Sequence, residues 1–93
     1  MLKVKDKYDY RRELCEALRS GKYKQVKGGA DHWQGNRVCA LGVGVRAGIF
    51  YETDFYAEAA EKLGTLNIAT EIWSRNDSGQ TFCQIADYIE SLP

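Results

Sequence analysis

A run of basic residues between positions 19 and 37 carries the side chains best suited to binding chemistry. It contains Arg19, Lys22, Lys24, Lys27 and Arg37, with Tyr23 and Trp33 among them. Guanidinium and ammonium groups attract phosphates and carboxylates, and an aromatic ring can stack on a nucleobase. We therefore predict that this segment binds a phosphate-bearing ligand or an acidic partner. The alternative is a solvated segment whose lysines only discourage edge-to-edge association of strands, and the sequence leaves both interpretations open.

The other reactive side chains form no catalytic or metal-binding pattern. The only histidine, His32, lies seven residues before Cys39, and no two cysteines stand at the spacing of a zinc-binding pair. A catalytic triad needs a base that a third group holds in place, and no neighbour of His32 has that role in the sequence. The third glycine of Gly42–Gly48 comes one place too late for a dinucleotide-binding loop. We predict no enzymatic activity, no metal site and no cofactor.

Charge is divided sharply along the chain, although the net charge is zero. Residues 1–50 hold eleven Lys/Arg and five Asp/Glu, which gives +6, whereas residues 51–93 hold two and eight, which gives −6. Fields of this size could steer an acidic partner to one surface and a basic partner to another. They could equally neutralise each other within the fold, or join copies of the chain into a homo-oligomer.

Length and composition indicate an ordinary globular domain. The chain has 93 residues, of which 44% are hydrophobic and 28% are charged, so we expect a single domain, 1–93. No apolar run approaches the roughly 20 residues of a membrane span, and the N-terminus lacks the apolar stretch of a signal peptide. Three cysteines, an odd number without that signal, favour reduced, buried thiols. We expect no membrane partner and a cytoplasmic location.

The hydrophobic spacing predicts a predominantly helical α+β domain with one β-hairpin. Apolar residues at helical spacing follow Asp9, which we assign as the cap of the first helix. The hairpin pairs Tyr23–Val26 with Arg37–Cys39 across a turn at Gln34–Asn36. The segment Cys39–Gly48 is either a buried strand or a short helix, and its sequence does not distinguish the two.

The acidic half is predicted to be helical. Thr53 or Asp54 caps a helix that ends at Gly64, and a short helix follows over roughly Ile68–Ser74. Asn76–Gly79 has the composition of a turn. Thr81 and Gln84 have the spacing of a capping box, which starts the last helix.

Two stretches are similar to patterns in small uncharacterised proteins of bacteriophages and their bacterial hosts. The first is LRSGKYKQVKG at residues 18–28, followed by VCALGV at residues 38–43. The second is RNDSGQTF at residues 75–82, followed by IADYIE at residues 85–90. The resemblance implies a small phage-type accessory protein that works inside a bacterial cell, and it brings no catalytic residue with it.

The resulting expectation is a small non-enzymatic interaction protein that binds and modulates a bacterial host protein, such as a defence or transcription component. The alternative is a binder of a nucleotide, another phosphate-bearing ligand or nucleic acid through the basic Lys22–Arg37 hairpin. Binding of that kind would depend steeply on salt concentration.

Overall fold

The computed structural model describes residues 4–27 and 35–93. Within these ranges it contains five α-helices and two short β-strands. The helices are α1 (Lys7–Arg19), α2 (Ala40–Arg46), α3 (Phe55–Leu63), α4 (Ile68–Asp77) and α5 (Phe82–Glu90), the strands are β1 (Lys24–Gln25) and β2 (Arg37–Val38), and a 3-10 turn covers Glu52–Asp54. The expectation of a predominantly helical α+β fold is confirmed.

The two strands pair in parallel, so the predicted β-hairpin is wrong. Lys24 is the partner of Arg37, and Gln25 is the partner of Val38. A parallel pair needs a crossover connection, whereas a hairpin reverses the chain in a tight turn. Gly35 does lie in a turn, but that turn does not set the direction of the strands. Most of the connection, residues 28–34, lies outside the described residues.

The ambiguous segment Cys39–Gly48 is a helix over Ala40–Arg46. Its glycines weaken the helix intrinsically, but Gly44 is required by packing. A Cβ on Gly44 would come within 2.4 Å of two carbons of the Phe50 ring, which lies against the helix backbone. Close approach of an aromatic ring therefore explains why glycine stands here.

Helix α1 begins three residues earlier than predicted, because Asp6 caps it. The Asp6 carboxylate accepts from the Asp9 backbone N–H at 2.9 Å, and the Asp9 carboxylate accepts from the Asp6 N–H at 3.1 Å. Such a reciprocal pair satisfies two backbone donors that the first turn leaves open. The corresponding prediction for α5 is confirmed, since Thr81 and Gln84 exchange the same two hydrogen bonds.

Helices α3 and α4 are joined by a short connection. Gly64 ends α3 in the left-handed conformation with φ of 73°, as its position predicted. Helix α4 runs to Asp77, so the predicted turn begins later than expected, and Asn76 is fully buried in the last turn of the helix.

The core lies where α1 and α5 pack together and α2, α3 and α4 close over them. Its largest fully buried apolar side chains come from β2 and all five helices: Leu14, Val38, Leu41, Val43, Leu63, Ile68, Ile72, Ile85 and Ile89. A buried cation fastens the end of the chain to this core. Arg11 donates through Nε to the Leu63 carbonyl at 3.0 Å and through Nη1 to the Pro93 carbonyl at 3.0 Å. These carbonyl contacts offset the cost of burying a guanidinium.

Candidate functional site

An open groove lies between α3 and α4, and we call it the α3/α4 groove. It has a volume of about 620 Å³. Its lining includes Tyr56, Ala57, Ala60, Glu61, Leu66 and Ala69. Alanines at these positions keep the space between the helices open, because they carry no side chain beyond Cβ. The surface is mainly apolar and resembles the grooves that accept an amphipathic helix.

Leu66 is the most exposed large hydrophobic side chain of the groove, with 86% of its surface accessible to solvent. It lies in the connection between α3 and α4, where no helical face demands an apolar residue. At the side of the groove formed by Tyr56, three aromatic rings lie together. The Tyr56 ring is 5.2 Å from Phe55 and 5.5 Å from Trp73, and the Trp73 indole N–H donates to Asp77 at 2.7 Å. Burial among these groups raises the pKa of Tyr56, and the nearby Cys39 and Asp77 add to the increase.

Exposed carboxylates accompany the groove on the elements that form it. Glu61 lines it directly, Glu71 lies in α4, and Glu52 and Asp54 lie in the 3-10 turn that leads into α3. All four are exposed, and none forms an ion pair with a residue of the described part of the chain. By contrast, Glu58 on α3 is paired with Lys62 at 2.9 Å. The groove therefore combines an apolar lining with one carboxylate, Glu61, that has no ion-pair partner in the described part of the chain.

A second surface of interest is the outward face of β1 and β2, which we call the basic strand pair. Neighbouring strands lie about 4.8 Å apart, so side chains at partner positions stand side by side. The partners Lys24 and Arg37 are both exposed, whereas their neighbour Val38 is fully buried on the other face. The register thus places two cations together on the solvent side.

A buried amide fixes these strands to α4. The Asn76 Oδ1 accepts from the Ala40 backbone N–H at 3.0 Å and from the Gln25 side-chain amide at 2.9 Å. The Asn76 Nδ2 donates to the Val26 carbonyl at 2.9 Å. One side chain therefore joins the end of β1, the start of α2 and the C-terminal turn of α4.

The structure separates the residues of the predicted basic site. Lys24 and Arg37 come together, but Arg19 is engaged elsewhere: its Nη2 lies 2.5 Å from Asp87 and 2.6 Å from Glu90 on α5. These contacts raise the pKa of Arg19, chiefly through the hydrogen bonds to Glu90 and Asp87. Lys22 lines a different cavity, of about 340 Å³, together with Glu13 and Glu16.

The remaining two predicted residues are Lys27 and Trp33. The exposed Lys27 places its Nζ 3.6 Å from the position that a Cβ on Gly79 would occupy. Trp33 lies outside the described residues, so the predicted stacking platform is not tested.

The sequence did not predict two features of these surfaces. Arg46, at the end of α2, donates through Nε to the Gly35 carbonyl at 3.1 Å, which brings a third cation to the start of β2. No local pattern reveals this contact, because the two residues are eleven positions apart. The α3/α4 groove was also missed. Its only sequence signal is Leu66, a lone apolar residue between two helices.

The cysteines differ in accessibility. Cys15 and Cys39 are buried, as expected, but Cys83 is exposed on α5, which corrects the expectation for that residue. Burial raises the pKa of Cys15 to about 11, and its Sγ donates to the Ala86 carbonyl at 3.4 Å.

Among residues 4–27 and 35–93, no three His, Cys, Asp or Glu side chains are grouped so that they could hold a metal ion. None of the described helices has the length and apolar character needed to cross a membrane.

Comparisons with protein-family models, with curated proteins and with solved structures find no match for this chain.

Proposed function

We propose that this chain is a small non-enzymatic interaction protein that binds a bacterial host protein through the α3/α4 groove and modulates it. The observation that carries the proposal is an exposed apolar groove lined by a carboxylate, Glu61, that forms no ion pair with any described residue. Exposed apolar surface is costly for a soluble protein, and contiguous patches of it mark interaction sites.

The chemistry of the groove indicates the kind of segment that would fill it. An amphipathic helix would place its apolar face against Leu66, Tyr56 and the alanines, as in other helix-in-groove complexes. Lys or Arg side chains beside that face would meet Glu61, which adds specificity and speeds association. The resemblance to phage-type proteins supports a partner in the bacterial cytoplasm, among defence or transcription components.

The first experiment is capture of proteins from a nuclease-treated bacterial lysate, with three forms of the tagged chain compared side by side. Leu66→Asn removes the apolar side chain at the groove, and Val4→Asn is the matched control. The two residues have nearly the same exposure, 86% and 89%, so neither substitution should alter the fold. We expect the wild type and the Val4→Asn variant to retain one partner that the Leu66→Asn variant loses.

The captured protein then provides a quantitative test. Its segment with an apolar face and basic flanks, made as a synthetic peptide, should bind at least about tenfold more weakly to the Leu66→Asn variant. Equal binding by all three forms would contradict the groove as the docking surface. Sedimentation of the chain alone tests self-association as the alternative. A salt-sensitive homo-oligomer that the Leu66→Asn substitution abolishes would show that the groove binds a second copy of the chain and not a host protein.

A further inference from the structure

The basic strand pair contains an arrangement that the fold does not require. Lys24 and Arg37 stand opposite each other on the exposed face, and like charges at partner positions destabilise a sheet. Neither side chain forms an ion pair with a residue in the described ranges, whereas Lys5, Arg12, Arg19 and Lys62 all do. The described residues therefore supply no carboxylate partner to either of these two cations.

Arg46 completes the arrangement. Its hydrogen bond to the Gly35 carbonyl uses Nε, so the two terminal nitrogens of the guanidinium, with four N–H groups, have no hydrogen-bond acceptor in the described part of the chain. Gly35 lies two residues before Arg37, so this contact directs the guanidinium to the N-terminal end of β2. A guanidinium fixed at one nitrogen is prepared to donate the others to an oxyanion.

We propose that Lys24, Arg37 and Arg46 form a binding site for a phosphate group. A phosphate carries more than one negative charge and several acceptor oxygens, so it would relieve the repulsion between Lys24 and Arg37 and accept the open donors of Arg46. This site is independent of the α3/α4 groove, since it uses β1, β2 and α2. It also differs from the basic segment inferred from the sequence, because it includes Arg46 and excludes Arg19 and Lys22.

Titration of the isotope-labelled chain with inorganic phosphate at low salt, followed by NMR, tests the site directly. We expect saturable shifts of the Lys24 and Arg37 backbone amides and of the Arg46 Nε–H signal. In the Lys24→Gln/Arg37→Gln variant the affinity should fall at least about tenfold, because each lost charge-assisted contact weakens binding. The exposed position of both side chains leaves the fold intact, which the unfolding transition of the variant verifies.

Two further variants make the test specific. Lys5→Gln/Arg12→Gln removes the same number of charges from α1 and the residues just before it. It should keep the phosphate affinity within about twofold, since screening weakens distant charges. Arg46→Lys keeps the charge but loses the planar fork, and it should weaken binding. Equal losses in both double variants, or shifts spread over all basic residues without saturation, would overturn the site.

Adenosine monophosphate and a short single-stranded oligothymidylate identify the source of the phosphate. Tighter binding of the monophosphate would indicate a nucleotide, and tighter binding of the oligothymidylate with a steep salt dependence would indicate a nucleic-acid backbone. Absence of saturable binding of phosphate, monophosphate and oligothymidylate would refute the proposal, even where the groove binds its protein partner.

Discussion

The α3/α4 groove and the basic strand pair are positioned by the same helix but by different kinds of interaction. Ala69 and Thr70, in the first turn of α4, line the groove, and Asn76, in the last, holds the strands. The groove rests on two helices that satisfy their own backbone groups and pack through apolar side chains. The strands have two residues each and depend on the side-chain amides of Asn76 and Gln25.

The two surfaces should therefore respond differently to the loss of a single side chain. Apolar packing is distributed over many contacts, so loss of one exposed side chain changes the groove only locally. The strand pair depends on one buried polar residue, and a buried group that loses its partner costs more than an ordinary contact contributes. We therefore expect the basic surface to be the more fragile of the two.

Substitution of Asn76 by Ala should have the largest effect. It removes the partners of the Ala40 N–H and the Val26 carbonyl and leaves a small cavity, so we expect a loss of about 3 kcal/mol in the free energy of unfolding. Denaturant unfolding measures the loss. Hydrogen exchange should show that protection of the Val26 amide, which donates to Val38 at 3.1 Å, falls more than that of the α3 amides.

The matched control for Asn76→Ala is Glu71→Ala, an exposed position on the same helix. It should change stability by less than about 0.5 kcal/mol. If Asn76→Ala reduces hydrogen-exchange protection equally in the strand pair and in the helices of the groove, our distinction is wrong. The strand pair would then not depend on a single residue more than the groove does.

Gly44→Ala should have the next largest effect, and it should also act mainly on the basic surface. The added methyl group would collide with Phe50 and displace α2, which carries Arg46. We expect a loss of about 2 kcal/mol from overpacking. In a Phe50→Leu background the same substitution should cost clearly less, because the clash is removed; a double-mutant cycle of unfolding free energies measures the difference. Additive costs would contradict the contact.

The parts of the fold that the sequence predicted are those that depend on near neighbours. Thr81 and Gln84 are three residues apart and specify the start of α5 without help from the rest of the chain. The direction of the strands depends instead on contacts such as Gln25 with Asn76, which are 51 residues apart. Hydrophobic spacing along the chain does not indicate which distant residues pair, so the sequence led to the incorrect prediction of a hairpin.

The candidate sites follow the same division. The basic composition of residues 19–37 is visible in the sequence, and it includes Lys24 and Arg37, which the structure brings together as strand partners. Which cations remain without a carboxylate is decided by tertiary structure, because α5 brings Asp87 and Glu90 to Arg19 across almost seventy residues. The groove arises only when α3 and α4 pack together, so no single segment predicts it.

Thr81→Ala provides a reference that acts through overall stability alone. Loss of the cap should lower the free energy of unfolding by about 1 kcal/mol. Because α5 contributes no lining to the groove and no cation to the strand pair, we expect binding at both surfaces to remain unchanged. Thr70→Ala, an exposed threonine on α4, is the control for loss of a hydroxyl and should alter stability by less than about 0.5 kcal/mol. An unchanged unfolding midpoint and slope in Thr81→Ala would contradict the assigned helix start.

The smallest expected effect comes from removing one carboxylate partner of Arg19. Its measurement tests whether Arg19 takes part in either surface. The hydrogen bond from Arg19 holds the pKa of Glu90 below its ordinary value of 4.5, against a small opposing effect of burial, and the charge of Arg19 adds to the decrease. Because the pKa is lower in the folded state, the pair stabilises the protein above the unfolded-state pKa, and this contribution disappears as the pH falls through the folded-state value.

The Glu90→Gln variant should therefore be slightly less stable than the wild type at pH 7 and equal to it in acid. Glu61→Gln, which removes an exposed carboxylate without an ion pair among the described residues, is the matched control for loss of one negative charge. Phosphate affinity at the strand pair should be the same in Glu90→Gln and the wild type. An increase would mean that Arg19, once it has lost its contact with Glu90, reaches the basic surface. The separation of that surface from the rest of the charge would then be wrong.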